Sequence, residues 1–470
     1  MRASPLRDGR REKTSWLPLG PLYLAEALLA KGYRVTIVDT GNDEAEKELA
    51  HLLDGDTVCV GISTMTGNQL ANSIELAGRV RGLKPTVPLV WGGVHPTLLP
   101  GQTLSHSLVD YIAWGEGEVS FPALVDYLAT GKGDPSSIPG IGYKVKDQPV
   151  INSNAGFTPL ERTFDLPYHL LDMNRYARSR LIGGNRSYPI LTSRGCPFRC
   201  SFCVNSSKAW ENTRMRFHTV DHVVRDAEKL VRTYGADLIS LSDENVVVSE
   251  SRIISILEAF KRAGLNVKYR FTARVDMMLR LSAECWTEMK SLGVVAAGAG
   301  IESGSPRMLD SMSKGLSLPQ IFELDETLTR HRLHKSYNFL VCTPREKAED
   351  RDMTLRLILR MARTSTYTPY PFGLYRYTPQ PGTSMFEDAK ALGLREPATL
   401  EGWKEFDQDD FFSTMARIRP WISPEQLPEI RTFLDRVEGL NAMFTGPDAD
   451  RDAINSKIAE LEKAIGASKA

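Results

Sequence analysis

A chain of 470 residues with 42% hydrophobic content is long enough for two or three domains with sizeable cores. Lys plus Arg and Asp plus Glu balance at 58 each, which excludes the basic surface that nucleic-acid binders present. Six cysteines in this length make no disulfide framework, the charged N-terminus has no apolar signal core, and no membrane-length apolar run occurs. A cytoplasmic protein with no membrane span is expected.

Residues 1–130 alternate strands with helices. Apolar strands are expected at Arg34–Asp39, Thr57–Ser63, Pro88–Gly92 and Asp110–Trp114, and helices at Gly20–Lys31, Asn68–Gly82 and Val119–Thr130. That order predicts a doubly wound parallel sheet with its ligand loops at the strand carboxyl ends. Those ends carry Gly61-Ile-Ser63-Thr64, Gly92-Gly93-Val-His95 and Gly115-Glu116-Gly-Glu118, where glycine lets a ligand approach the backbone. Met1–Trp16 is polar and charged and supplies no apolar strand ahead of Pro18-Leu-Gly. Residues 131–185 open on turn residues and read as a linker. It holds a hairpin, Ile141–Lys146 with Gln148–Asn152, and a proline-interrupted connector, Phe164–Asp172.

Residues 186–385 carry six strand-like runs separated by helical ones. The runs are Tyr188–Ser193, Asp237–Ser242, Val267–Ala273, Val294–Glu302, Ser336–Cys342 and Phe372–Thr378. Six repeats fall short of a closed eight-stranded barrel, and function belongs at their carboxyl ends. The ends are polar: Asp243-Glu244, Arg274 with Asp276, Glu302, and the Tyr377–Gly382 turn. The first run leads into Cys196-Pro-Phe-Arg-Cys200-Ser-Phe-Cys203. Three thiolates at this spacing can surround one metal centre but leave it a ligand short. A structural zinc site needs a fourth ligand, for which His218 is the nearest histidine, whereas a [4Fe–4S] cluster on three cysteines keeps one iron open. Cys59, Cys285 and Cys342 read as buried small apolar residues, Cys342 keeping a minor claim on the cavity. Residues 386–470 form a helical, charged region with an acidic aromatic stretch at Trp403–Phe412.

The cysteine loop, with Phe202 just before its last cysteine, resembles that of the radical S-adenosylmethionine (SAM) superfamily. By that resemblance Cys196, Cys200 and Cys203 ligate three irons of a [4Fe–4S] cluster. The open iron binds SAM, whose reductive cleavage gives a 5′-deoxyadenosyl radical. The resemblance also implies Glu244 near the methionine amino group, Arg274 near its carboxylate, Glu302 near the ribose, and Tyr377 bordering the adenine or a cobalamin. An arginine fork suits a carboxylate, and carboxylates suit ammonium and hydroxyl groups. Pro18-Leu-Gly, Ser63-Thr64, Gly92-Gly93-Val-His95-Pro-Thr and Gly115-Glu116-Gly-Glu118 resemble the cobalamin-binding domain of one large branch, whose loops wrap the corrin's nucleotide tail. The D-x-H-x-x-G motif that supplies a lower cobalt ligand does not occur.

The implied fold is α/β: a Rossmann-like cobalamin-binding-type domain, then a partial (β/α)6 radical SAM barrel and a helical C-terminal region. The implied activity is that of a cobalamin-dependent methyltransferase acting on an unactivated carbon of a small molecule. Its electrons would come from an external donor such as flavodoxin or ferredoxin. Two other readings stay open. One is a non-methylating oxidoreductase or cyclase of the anaerobic magnesium-protoporphyrin ester cyclase type, the other a cluster-binding protein without catalysis.

Overall fold

The computed structural model describes residues 6–7, 10–11, 16–39, 49–53, 55–161, 164–177, 186–210, 214–365, 370–406, 417–444 and 450–467. The acidic aromatic stretch read at Trp403–Phe412 lies outside the described residues beyond Phe406. No helix of the described residues is long and apolar enough to cross a membrane.

In the N-terminal domain β1 (Val60–Ser63), β2 (Leu89–Gly92) and β3 (Tyr111–Ala113) pair in parallel. The hairpin read in the linker, β4 (Ile141–Val145) and β5 (Gln148–Ile151), adds to β3 antiparallel and so extends this sheet. Strand alternation feeds two cores, as a doubly wound sheet requires. Leu89 and Trp91 pack with Leu70 and Val80 of α1 (Asn68–Leu83) on one face. Val90 packs with Leu28, Phe121 and Leu124 on the other, the last two from α2 (Gly117–Thr130). Residues 34–39, expected as a strand, join no ladder. Val35 is claimed by the second of these cores and Ile37 by the barrel core, while Asp39 accepts the Tyr176 hydroxyl at 2.8 Å. The segment spans the domain junction instead of the sheet. No strand preceding residue 19 enters the sheet among the described residues, consistent with the polar start.

The second domain is a six-stranded parallel sheet in sequence order. Its strands are β6 (Ser187–Ile190), β7 (Leu238–Leu241), β8 (Lys268–Ala273), β9 (Val294–Glu302), β10 (His334–Val341) and β11 (Phe372–Arg376). Tyr269, Phe271, Tyr337, Phe339 and Val341 enter the apolar core that the helices cover. Their neighbours Arg270, Thr272, Ser336 and Asn338 take the opposite face, so the lumen is polar. The helices are built by ordinary rules. In α3 (Val220–Tyr234) Thr219 caps the start by accepting from the His222 N–H, Gly235 at φ 67 ends it, and Val223, Ala227 and Leu230 make the buried stripe.

The C-terminal region manages what the open barrel leaves. α4 (Leu427–Ala442) covers the β11 edge, where Asn441 donates to the Phe372 carbonyl at 2.7 Å and accepts its N–H at 3.1 Å. One side chain thus satisfies the backbone of an edge strand. Residues 384–406 return to the first domain, where Phe386, Leu400, Trp403 and Phe406 complete the Trp91 core. Trp403 donates to Gln102 Oε1 at 2.6 Å, and Gln102 donates to the Pro397 carbonyl at 2.7 Å.

Candidate active site at the domain junction

β6 runs into a two-residue antiparallel pairing, Ser193–Arg194 with Arg216–Phe217, and the cysteine loop follows. Gly195 turns the chain at φ 93, a left-handed conformation that glycine adopts without strain. The loop is stapled on several sides. Ser201 N donates to the Met312 carbonyl and Met385 N to the Ser201 carbonyl, each at 2.9 Å. Ser206 Oγ donates to the Cys200 and Cys203 carbonyls at 2.9 and 2.7 Å. Behind it Phe202 packs on Met308, Met312, Met385 and Tyr377. The expected site residue Tyr377 is thereby buried as support for the loop rather than laid along an open face.

All three thiols are free, with Cys200 buried and Cys196 and Cys203 half-buried. Burial pushes the Cys203 thiol up to about 11; the charges of Cys200 and Cys196 add to this and Lys314 opposes it. Burial also raises Cys196, with Cys200 adding and Arg274 opposing. The three sulfurs therefore lie within electrostatic reach of one another and of two cations.

Those cations are tied into the loop. Arg274, at the end of β8, donates to Cys200 Sγ at 3.3 Å, to the Lys314 carbonyl at 2.5 Å and to Asp276 Oδ1 at 2.9 Å. Its guanidinium sits 3.7 Å from the Phe198 ring centre. Arg274 thus ties the loop to the end of β8. Lys314 escaped the sequence reading because a lysine between a serine and a glycine reads as an exposed turn. It is buried, and its Nζ lies 2.7 Å from Glu302 Oε1. Glu302 takes φ 68 where the β9–β10 ladder slips between Gly300 and Glu302. A Cβ on Gly300 would crowd the tips of those two side chains, so glycine leaves the pair its room.

Asp243 is also committed. It accepts the Thr192 N–H at 2.6 Å, the Thr192 hydroxyl at 2.5 Å and the Ser193 hydroxyl at 2.6 Å, tying the end of β7 to that of β6. Glu244 is solvent-accessible yet enclosed by protein, the position of a group on the wall of a concavity. Desolvation raises its carboxyl, and the charge of Asp243 adds to the effect. His218 is in the inter-domain core, with Nε2 3.4 Å from the Tyr23 hydroxyl and its ring 4.3 Å from His222. Cys285 and Cys342 are buried in the barrel core, as expected of small apolar residues.

The carboxyl ends of β1–β3 face the same junction. Gly93, at φ 93, lets its loop pack on β1: a Cβ there would lie 2.7 Å from the Thr64 carbonyl. Ser63 and Met65 are exposed, Thr64 is buried, and Gly92 and Gly115 are half-buried. Two expected contact residues are engaged within the protein. His95 is fully buried against Trp403, with Nδ1 2.9 Å from Thr66 Oγ1, so it has no surface to offer a ligand. Glu116 accepts from Thr158 N at 2.8 Å and from both terminal nitrogens of Arg216, so its carboxylate is taken by the barrel and not left for a nucleotide tail.

Burial pulls His95 down to about 4, so it is neutral in the fold while the unfolded chain protonates it near its ordinary value. The stability it contributes is full above about pH 6.5 and is lost as the pH falls towards about 4. In urea unfolding, His95→Leu is expected to lose less stability than the wild type, or gain more, between about pH 7.5 and about pH 5. An unchanged slope in the variant would remove His95 from the account.

The donor set fits a cluster. Three mutually sensed thiols with buried cations beside them suit a cubane, whose cysteines bind different irons. The β1 end offers exposed Ser63 and Met65 towards a large cofactor, with Phe157 of the linker exposed against Arg216 nearby.

A partial parallel barrel with a three-cysteine loop at its first strand, set against a doubly wound sheet, defines a two-domain cofactor enzyme. The Radical SAM superfamily model matches residues 190–358, and the B12 binding domain model matches residues 11–125. An uncharacterized methyltransferase of Pyrococcus horikoshii is 30% identical over 387 residues, 81% of this chain and 80% of that protein. An anaerobic magnesium-protoporphyrin IX monomethyl ester cyclase of Rubrivivax gelatinosus is 26% identical, over 76% of this chain and 65% of that protein. In fold the chain is similar to the radical S-adenosylmethionine methyltransferase TsrM from Kitasatospora setae, solved with cobalamin and a [4Fe–4S] cluster. The TM-score is 0.68 at 16% identity, covering 96% of this chain and 98% of that one. The chain belongs to the radical SAM superfamily, in the branch that carries a B12-binding domain. Its cofactors are SAM, a [4Fe–4S] cluster and cobalamin.

Proposed function

We propose that the chain is a cobalamin-dependent methyltransferase acting on an unactivated carbon of a small molecule, with electrons from an external flavodoxin or ferredoxin. The observation that carries this reading is the apposition of the two sheets' carboxyl ends. Arg194, two residues before Cys196, pairs at 2.7 Å with Glu118, three residues past Gly115. Both cofactor-facing ends therefore meet at one junction. The methyltransferase relative, aligned over four fifths of both chains, supports the same reading.

In this reading Cys196, Cys200 and Cys203 hold the cluster, and Arg274 and Lys314 offset the negative charge gathered there. Glu244 and Glu302 offer acceptors to the ammonium and ribose of SAM. Ser63, Gly92, Gly93 and Gly115 let the cobalamin lie close to backbone. When bound, these groups supply a hydrogen-abstracting radical and a transferable methyl group. The chain supplies position: a polar barrel face towards substrate, and a junction sealed by apolar contacts from Tyr23 and Phe164.

Anaerobic reconstitution with iron, sulfide and hydroxocobalamin, then metal analysis, tests it. Near-stoichiometric cobalt beside about four irons is expected. Turnover with SAM, reductant and candidate substrates should give S-adenosylhomocysteine as well as 5′-deoxyadenosine. Cluster without cobalt, or 5′-deoxyadenosine alone, would overturn methyl transfer in favour of the cyclase-like reading.

A further inference from the structure

We propose that Arg194, Arg216, Glu116 and Glu118 form an inter-domain lock whose task is to position the cysteine loop against the N-terminal strand ends. The inference rests on the reading of Cys196, Cys200 and Cys203 as cluster ligands.

The register supplies the first reason. Arg194 and Arg216 stand directly opposite each other in their antiparallel pairing. Like charges in that relation repel, so the pairing is unfavourable on its own. Both counter-charges come from the other domain. Glu118 Oε1 is 2.7 Å from Arg194, and Glu116 receives a fork from Arg216 with Arg194 at 3.5 Å. The segment leading into the cysteine loop is therefore completed only when the N-terminal domain is docked.

The surroundings supply the second. Side-chain exposure is 12% for each arginine and 8% and 7% for Glu116 and Glu118, so all four charges are desolvated. A buried charge holds only when it is matched, and here each of the four has a counter-charge beside it. Thr158 donates its N–H to Glu116 at 2.8 Å and its hydroxyl to Glu118 at 3.2 Å, and its carbonyl accepts from Arg216 at 3.0 Å. The guanidinium carbons of Arg194 and Arg216 lie 4.5 and 4.4 Å from the ring centres of Tyr23 and Phe157, both on the N-terminal side of the junction. Burial works against ionisation of Glu116, but the arginines hold it below the usual carboxylate range. Two positive and two negative charges cancel, and removing any one leaves a buried charge unmatched.

Chain proximity supplies the third. One glycine separates Arg194 from Cys196, and Glu116 directly follows Gly115 at the end of β3. The lock therefore fixes the spacing between the two cofactor sites. Such a network contributes geometric specificity more than net stability. The four side chains act through the loop and are positioning residues.

The test compares full-length wild type, Glu116→Gln/Glu118→Gln, Glu118→Arg, and the charge-exchanged Arg194→Glu/Glu118→Arg after anaerobic reconstitution. Iron content, the electron paramagnetic resonance spectrum of the reduced cluster with and without SAM, and thermal unfolding are recorded. The double glutamine variant and Glu118→Arg are expected to lose the SAM-induced spectral change and to split unfolding into two transitions; the exchanged pair is expected to recover both. If the double variant is insoluble, Glu118→Gln is read in the same way. A variant with wild-type spectra and one transition overturns the lock, as does an exchanged pair no better than Glu118→Arg. Wild type that binds no iron would instead overturn the cluster assignment beneath it.

Discussion

Replacing Cys200 by alanine is expected to leave the reconstituted chain nearly free of iron and unable to cleave SAM, whereas Cys285→Ala keeps its full iron content. Both cysteines are buried, so burial alone does not separate them. Their neighbours do. Cys285 sits on an apolar helix face with its sulfur 3.8 Å from that of Met289, where removal leaves only a small cavity costing about 1 kcal/mol. Cys200 receives the Arg274 guanidinium and shares its surroundings with two further thiols. Cys196→Ala and Cys203→Ala should behave as Cys200→Ala does, since two thiolates hold a cluster poorly. Iron analysis and the absorption spectrum decide it. Iron near the wild-type level in any of the three variants would strike that cysteine from the ligand set.

The barrel was legible because each of its strands alternates outward apolar residues with small or polar ones, and a helix-period run separates each from the next. The cysteine spacing was legible for a different reason: it is local, and three thiols within eight residues meet whatever the fold. What long-range packing decides was not legible. Glu116 stands in a glycine-rich loop that suits a ligand, and nothing near it in sequence shows that Arg216, a hundred residues on, takes its carboxylate. His95 lies in a strand-end loop, but Trp403 from the far end of the chain buries it. Residues 34–39 have the alternation of a strand, and two different cores divide that alternation between them. In each case the local pattern was right, and a distant segment settled its use. The same distance explains Lys314, whose turn gives no sign of the carboxylate and the thiols it serves.

Lys314→Met is expected to carry a large cost in stability. Methionine keeps the length and much of the volume of lysine, so packing against Phe202 and the turn backbone survives. What is lost is the charge 2.7 Å from Glu302, in a pair whose side chains are only 7% and 12% exposed. Stranding one member of a buried pair costs about 3–5 kcal/mol, most of it the desolvated charge left behind. Glu302→Gln should cost less, since the amide oxygen still accepts from the ammonium. Lys314→Met/Glu302→Gln should recover much of the loss of Lys314→Met, giving a coupling of about 1–3 kcal/mol in a double-mutant cycle. Urea unfolding of the cofactor-free chain measures all four corners without reference to turnover. A Lys314→Met cost below about 0.5 kcal/mol would mean the pair is solvated. Glu302 would then be free to serve SAM alone, and the buried cations beside the cysteine loop would reduce to Arg274.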